Sequence, residues 1–198
     1  MKDLTSYKGK ITEAVGAFDS TADLYVRGVK FYIELILSQW DGKFSAAKNQ
    51  NEVIRCAEIL TVATKNRPIV PFDFKGQFDR FPSYLRRAAI AEAYGAVSSY
   101  QTRLEQWNKK PSGRQPGLPK AGRTFPALYK GNMFKLVDKE KYLADLKVFD
   151  GRRWAWLRVR LRKSDVDYIE RLCADRIKGS PTLRKRGKNW YLDFPFEQ

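Results

Sequence analysis

Apolar residues recur at helical spacing in three stretches of the first 108 residues. The first stretch predicts a helix that begins near Ser20 or Thr21, because either side chain can cap a helix. A second helix is predicted over residues 46–65, where apolar residues share one stripe. Pro82 then opens the longest predicted helix, residues 83–108, since proline suits the first helical turn. The front of the chain is therefore predicted to be helical.

The apolar period changes from helical to two after residues 109–124, a loop rich in proline, glycine and basic residues. Strands are predicted over residues 133–137 and 153–162. A short helix is predicted over residues 165–177, and residues 180–194 read as a hairpin that turns at Arg186-Gly187-Lys188. The pattern thus predicts an α+β fold class with a helical front and a β-rich back.

The same pattern divides the chain into four segments. Residues 1–20 hold a possible first strand, and residues 21–110 form a helical lobe. Residues 111–130 form a basic linker loop, and residues 131–198 form the β-rich domain. No internal repeat connects these segments.

Positive charge is concentrated in the second half of the chain. Lys and Arg number 38 against 22 Asp and Glu, which gives a net charge of +16 over 198 residues. Residues 1–102 carry a net charge of +3, and residues 103–198 carry +13. Such an asymmetry is typical of a domain that binds a polyanion, whereas a solvated basic surface without a partner is the alternative.

The predicted strand at residues 153–162 carries the most specific basic pattern. Its inward positions are apolar, and Arg158, Arg160 and Arg162 alternate with them, so all three are expected on one face about 7 Å apart. This separation is close to that of successive phosphates, which arginine can bind through two hydrogen bonds. A solvated outer face of a barrel remains the alternative.

Further candidate nucleic-acid-binding residues lie in the hairpin, the linker loop and the longest helix. The hairpin contributes Arg184, Lys185, Arg186, Lys188, Trp190 and Tyr191. The loop contributes Lys109, Lys110, Arg114, Lys120, Arg123 and Lys130, and the helix contributes Arg86 and Arg87. Basic residues beside aromatic rings suit backbone contacts combined with base stacking. Trp190 and Tyr191 alternate in a strand, so at least one of them is expected in the core.

Catalytic and metal-binding patterns are not found in this sequence. Histidine is absent, which excludes histidine-based triads and histidine metal sites, and no phosphate-binding glycine loop occurs. Cys56 and Cys173 are far apart and read as buried thiols of a reducing compartment. Asp165 and Asp167 read as helix-capping groups. We therefore expect no enzyme, cofactor or metal in this chain, and a cytoplasmic location without a membrane span.

Motifs in consistent order resemble the amino-terminal half of TnpB, the OrfB-type protein of bacterial insertion sequences, which is related to type V CRISPR effectors. The motifs are FPSYLRRA at residues 81–88, GLPK at 117–120, FPALYK at 125–130 and LRKRGKNWYLDFPFE at 183–197. Residues 80–198 resemble that family more closely than the first eighty.

This resemblance implies a helical recognition lobe and an oligonucleotide-binding, barrel-like wedge domain. It implies guide-like structured RNA and target DNA as partners, with base pairing reading the sequence. The chain ends at Gln198, where the RuvC nuclease part of such a protein would begin. Three functions stay open: RNA-guided recognition without cleavage, one half of a split endonuclease with a separate RuvC-type chain, and a stand-alone RNA-binding regulator encoded by a bacterium or phage.

Overall fold

The structure is a computed structural model that describes residues 4–13, 16–123, 125, 128, 131–138, 140–173 and 177–197. Within these residues the chain is mixed α+β, as the apolar pattern predicted. The first part holds β1 (Leu4–Lys10), α1 (Gly16–Ser38), a π-helical turn (Trp40–Phe44), α2 (Gln50–Thr61), α3 (Phe74–Gln77) and α4 (Ser83–Lys109). The second part holds β2 (Phe134–Asp138), β3 (Leu143–Phe149), β4 (Trp154–Arg160), α5 (Lys163–Cys173), β5 (Ile177–Lys178), β6 (Thr182–Arg186) and β7 (Asn189–Glu197).

Two helix starts differ from the predicted ones for identifiable reasons. α1 begins at Gly16, so Thr21 lies inside the helix, where its hydroxyl donates to the Ala17 carbonyl at 2.6 Å. α2 begins only at Gln50, because the Asn49 side chain caps it by accepting the Glu52 N–H at 3.0 Å. The predictions of a cap at Ser20 or Thr21 and of a helix from residue 46 were therefore wrong.

The chain forms two compact units. The first contains residues 1–22 and 124–198, and the second contains residues 23–123. The predicted segments were instead divided at residues 20, 110 and 130. Each unit is described separately.

The first unit contains two antiparallel sheets. In one sheet β7 pairs with β1 on one side and with β5 and β6 on the other, and the second sheet has the order β2-β3-β4. A bridge between Ile11 and Leu161 joins them, and the Arg162 N–H donates to the Lys10 carbonyl at 2.7 Å. The described strands form small sheets rather than a closed barrel.

The core of this unit lies between the apolar faces of these elements. Leu146, Val159 and Leu161 are almost fully buried, and so are Leu192 and Phe196. β3 was not predicted, although it is the central strand of its sheet. Its inward positions Ala144, Leu146 and Val148 alternate with polar or half-buried ones, in the period of two expected for a strand.

The second unit packs its helices around a cluster of aromatic rings. Phe74 stacks on Phe78 with ring centroids 4.5 Å apart, and Tyr32 stacks on Phe74 at 5.1 Å. The Tyr25 hydroxyl donates to Glu92 of α4 at 2.9 Å, and burial is the largest cause of the raised pKa of Tyr25. None of the described helices combines the length and the apolar character that crossing a bilayer requires.

Replacing Thr21 with Val is expected to destabilise the first unit by about 1–3 kcal/mol. Thr21 is 1 % exposed, and its hydroxyl oxygen accepts the Phe149 N–H at 2.8 Å, so the valine would leave a buried donor without an acceptor. Urea unfolding followed by tryptophan fluorescence measures the change. Thr102→Val, at an exposed position of α4, is the control and should have little effect. Equal stability of both variants would contradict this role.

Candidate nucleic-acid interface

The solvent side of the β2-β3-β4 sheet gathers basic side chains around an exposed tryptophan. Lys135, Asp145 and Arg158 lie side by side across the three strands, because Asp145 is the register partner of both. Lys147 pairs with Trp156 in the same register. We call the side chains of Lys135, Leu143, Asp145, Lys147, Trp156, Arg158 and Arg160 the outer sheet face.

Trp156 is the aromatic residue of the outer sheet face. It is 41 % exposed, whereas most large apolar side chains of this unit are buried. The Lys135 ammonium lies 4.5 Å from the centroid of its ring, and that of Lys147 lies 6.0 Å away. Cation–π contacts at exposed sites contribute about 0.5–1 kcal/mol, so they orient the ring but are weak enough for a ligand to displace.

Two arginines of β4 lie on the outer sheet face in different electrostatic states. Arg158 donates from Nε and Nη2 to the two carboxylate oxygens of Asp145, at 2.9 and 3.2 Å. This hydrogen bond raises the pKa of Arg158 further. Arg160 is exposed and has no acidic partner among the described residues. Its charge is therefore available to a ligand, whereas that of Arg158 is partly neutralised.

Arg162 lies beyond the end of β4, so the predicted row of three arginines is not formed within one strand. β4 ends at Arg160, and Arg162 lies just before α5, where Nη2 donates to the Asp165 carboxylate at 2.6 Å. The other oxygen of Asp165 accepts the N–H of Lys10 at 2.8 Å. Asp165 therefore bonds to β1 and Arg162 rather than capping its own helix.

The hairpin at residues 182–197 has a basic surface, but carboxylates balance most of it. Arg184 lies 3.0 Å from Asp193 and Arg186 lies 4.0 Å from it, and Asp193 is 6 % exposed. Lys185 donates to Asp19 at 2.7 Å. Only Lys188, exposed at the turn, has no acidic partner within the described part of the hairpin.

The two aromatic candidates of the hairpin differ in burial. Trp190 is 6 % exposed and packs edge-on against Phe18, with ring centroids 5.3 Å apart. Its ring belongs to the core, which corrects its predicted stacking role. Tyr191 is half-buried on the opposite side of β7, opposite Lys10 of β1.

The remaining candidates lie in the second unit or outside the described residues. Lys109 bonds to Glu105 at 2.7 Å, and Arg123 lies 3.2 Å from Asp23. Exposed side chains in the same loop are Lys110, Arg114 and Lys120. Lys130 lies outside the described residues. The loop therefore offers cations, but the described chain places no exposed aromatic ring among them.

Arg86 and Arg87 serve a network between α2 and α4. Both donate to the same carboxylate oxygen of Glu58, Arg86 from Nη2 at 2.9 Å and Arg87 from Nε at 3.1 Å. Burial raises the pKa of Glu58, but the hydrogen bonds and charges of both arginines outweigh it, so the pKa lies below the usual range. These two arginines connect α4 to α2, a role that the sequence pattern did not predict.

The sequence interpretation missed the three other basic or aromatic residues of the outer sheet face, Lys135, Lys147 and Trp156. Trp156 stands two positions before Arg158, so the period of two that placed the arginines outward also places its ring outward. Lys135 falls in a strand that was predicted. Lys147 lies in β3, which was not predicted, so no sequence signal tied it to this face.

Comparisons with known proteins identify a family match and a relative. The model of the Aq_aa04 family matches residues 5–150. A protein of Aquifex aeolicus (strain VF5) named "Uncharacterized protein aq_aa04" is 26% identical over 155 residues, which covers 72% of this chain and 83% of the relative. Neither description states an activity. The family match includes Lys135 and Lys147 but ends before β4.

Replacing Glu58 with Gln is expected to lower the free energy of unfolding by about 2 kcal/mol at pH 7, since hydrogen bonds to charged groups contribute about 1.5–3 kcal/mol. The lowered pKa means that this contribution is present above the unfolded-state pKa near 4.3 and is lost as the pH falls through the folded-state pKa. Denaturant unfolding between pH 7 and 3 should show the difference between wild type and variant shrinking in acid.

Glu105→Gln is the matched control for Glu58→Gln, because it breaks a solvent-exposed pair with Lys109 on α4. Surface pairs contribute little to stability, so its unfolding should be close to that of the wild type across the same pH range. A constant difference between Glu58→Gln and wild type from pH 7 to 3 would show that the Glu58 charge does not stabilise the helices.

Proposed function

Since the chain belongs to the Aq_aa04 family, whose description names no activity, we propose from its surface that it binds an unpaired segment of RNA on the outer sheet face. The carrying observation is Trp156, an exposed ring on a strand face with Lys135, Lys147 and Arg158 beside it. Sequence-tolerant binding of single strands combines such a ring with a positive groove or face.

A nucleic-acid base can displace the Lys135 ammonium from the Trp156 ring, because stacking is more favourable than the cation–π contact. Stacking of one base on an aromatic side chain contributes about 1–3 kcal/mol, whereas the exposed cation–π contact contributes about 0.5–1 kcal/mol. The displaced ammonium stays on the same face, where it can bind the phosphate of the stacked nucleotide. When RNA binds, Trp156 would therefore stack on a base and Lys135 would bind the phosphate.

The charges of the outer sheet face favour a polyanion. Its described side chains include four cations, Lys135, Lys147, Arg158 and Arg160, and one carboxylate, that of Asp145. Arg158 and Arg160 are two positions apart on β4, about 7 Å by strand rise, which is close to the separation of neighbouring phosphates. Unpaired RNA fits this arrangement better than a duplex, whose bases are not available for stacking.

More specifically, we propose that the bound RNA is a guide that directs the chain to target DNA. The ordered motifs at residues 81–88, 117–130 and 183–197 support it through their resemblance to TnpB. The first unit would then be the barrel-like wedge domain, and the bridge between Ile11 and Leu161, which joins its two sheets, supports that assignment. Cleavage would require a nuclease part outside residues 1–198.

Sequencing the RNA that copurifies with the expressed chain tests the guide role. One structured RNA should be strongly enriched, and the complex should then bind DNA complementary to part of that RNA. Enrichment without complementary DNA binding would reduce the function to that of an RNA-binding regulator. A sample of RNA that mirrors the total cellular pool would contradict the guide role.

Trp156→Ala is expected to weaken binding of a short single-stranded RNA about tenfold or more, because one stacked base is lost. Fluorescence anisotropy with a labelled oligouridine measures the dissociation constant at fixed salt. Tyr168→Ala is the control, since Tyr168 is similarly exposed at 45 % but lies on α5. An equal loss for both variants would count against the outer sheet face.

Arg160→Gln and Asp145→Asn are expected to change binding in opposite directions. The first removes an unneutralised cation and should reduce the slope of log affinity against log salt by about 0.7, as expected for one phosphate contact of a single strand. The second leaves Arg158 without its carboxylate partner and should strengthen binding at low salt. Weaker binding by Asp145→Asn would show that the ion pair positions Arg158 rather than masking it.

A further inference from the structure

A basic cavity lies in the helical unit, which shares no residue with the outer sheet face. It is a cavity of about 420 Å³ formed by α2, by the turn after it and by α4. Its charged lining residues are Arg55, Arg67, Arg87 and Glu58, and its remaining lining residues are Asn51, Ile54 and Ile59. Three arginines thus surround one carboxylate.

The single carboxylate is already used within the protein. One oxygen of Glu58 accepts from both Arg86 and Arg87, at 2.9 and 3.1 Å. Arg86 lies beside the cavity and is only 17 % exposed at its side chain, which adds a further positive charge to the surroundings. The cavity therefore carries positive charge that no described protein group neutralises.

Hydrogen-bond donors also exceed acceptors around the cavity. Arg67 directs Nη2 to the carbonyls of Glu58 and Val62, at 3.3 and 2.9 Å, and so closes the carboxyl end of α2. Among the described residues, the buried Nε atoms of Arg67 and Arg86 have no acceptor.

Arg55 is the lining arginine that the fold does not explain. It is exposed on α2 and makes no hydrogen bond or ion pair with the described residues, whereas Arg67 and Arg87 both stabilise the helices. Repulsion between Arg55 and the neighbouring arginines is unfavourable unless an anion is present. Its position at the cavity is therefore better explained by a ligand than by stability.

The form of the cavity indicates what the anion is attached to. A volume of 420 Å³ lies in the range of small-molecule sites and exceeds what a phosphate alone needs. Ile54 and Ile59 supply an apolar wall beside the arginines. A group with one highly charged end and one flat, weakly polar end matches this lining.

We propose that this cavity binds a nucleoside 5′-phosphate, with the phosphomonoester on Arg55, Arg67 and Arg87 and the nucleoside along Ile54 and Ile59. A phosphomonoester carries more charge than an internal phosphodiester, which suits three guanidinium groups. The same chemistry occurs in a free mononucleotide and at the 5′ end of an RNA. The proposal goes beyond the outer sheet face and does not depend on it.

Isothermal titration of the full chain with adenosine 5′-monophosphate and with adenosine tests the proposal. The monophosphate should bind and adenosine should not, because the arginines provide most of the attraction. Arg55→Gln should weaken monophosphate binding at least tenfold while leaving unfolding unchanged. Lys30→Gln, a matched loss of one exposed charge on α1, should leave binding unchanged.

Two decaribonucleotides that differ only in a 5′-phosphate distinguish the sources of the ligand. They are titrated into Trp156→Ala, so that the outer sheet face contributes little. Tighter binding of the phosphorylated RNA than of both the unphosphorylated RNA and the monophosphate assigns the cavity to an RNA end. Binding of the monophosphate at least as tight as that of the phosphorylated RNA assigns it to a mononucleotide. The proposal is overturned if neither phosphorylated probe binds, or if Lys30→Gln weakens binding as much as Arg55→Gln.

Discussion

The first unit depends on the backbone pairing of β7, which hydrogen-bonds to strands on both sides. β1 pairs with it from Leu4 opposite Glu197 to Lys10 opposite Tyr191, so segments from opposite ends of the chain become neighbours. β5 and β6 occupy the other side of β7. The end of β1 then bonds to the end of β4, through Ile11 and Leu161. The position of the outer sheet face follows from this chain of pairings.

Carboxylates decide which of the many cations can act on a ligand. Asp193, Asp19 and Asp165 bind the arginines and lysine of the hairpin and of the α5 start, so much of the charge there is internal. The outer sheet face has four basic side chains and one aspartate, Asp145, which is bonded to Arg158. Net charge therefore indicates a polyanion partner, and the positions of the acidic side chains indicate which surface can bind it.

Sequence patterns predicted the fold class, the longest helix and the outward direction of Arg158 and Arg160, because these depend on local periodicity. They did not predict β3, since Leu143–Phe149 mixes Asp145 and Lys147 with apolar residues and the alternation is readable only once the sheet is known. The Glu58 network was equally hidden, because Glu58 and the two arginines are about thirty residues apart. Burial of Trp190 follows from packing against Phe18, which no local pattern records.

The pairing of β1 with β7 also sets the order in which the chain can fold during synthesis. The helical unit is continuous, residues 23–123, so all of its contacts are available before residues 124–198 have been made. β1 is synthesised first, yet its partner strand ends at Glu197. Its edge must stay unpaired until residues 189–197 have been made, which makes the sheet unit the slow and aggregation-exposed step of folding.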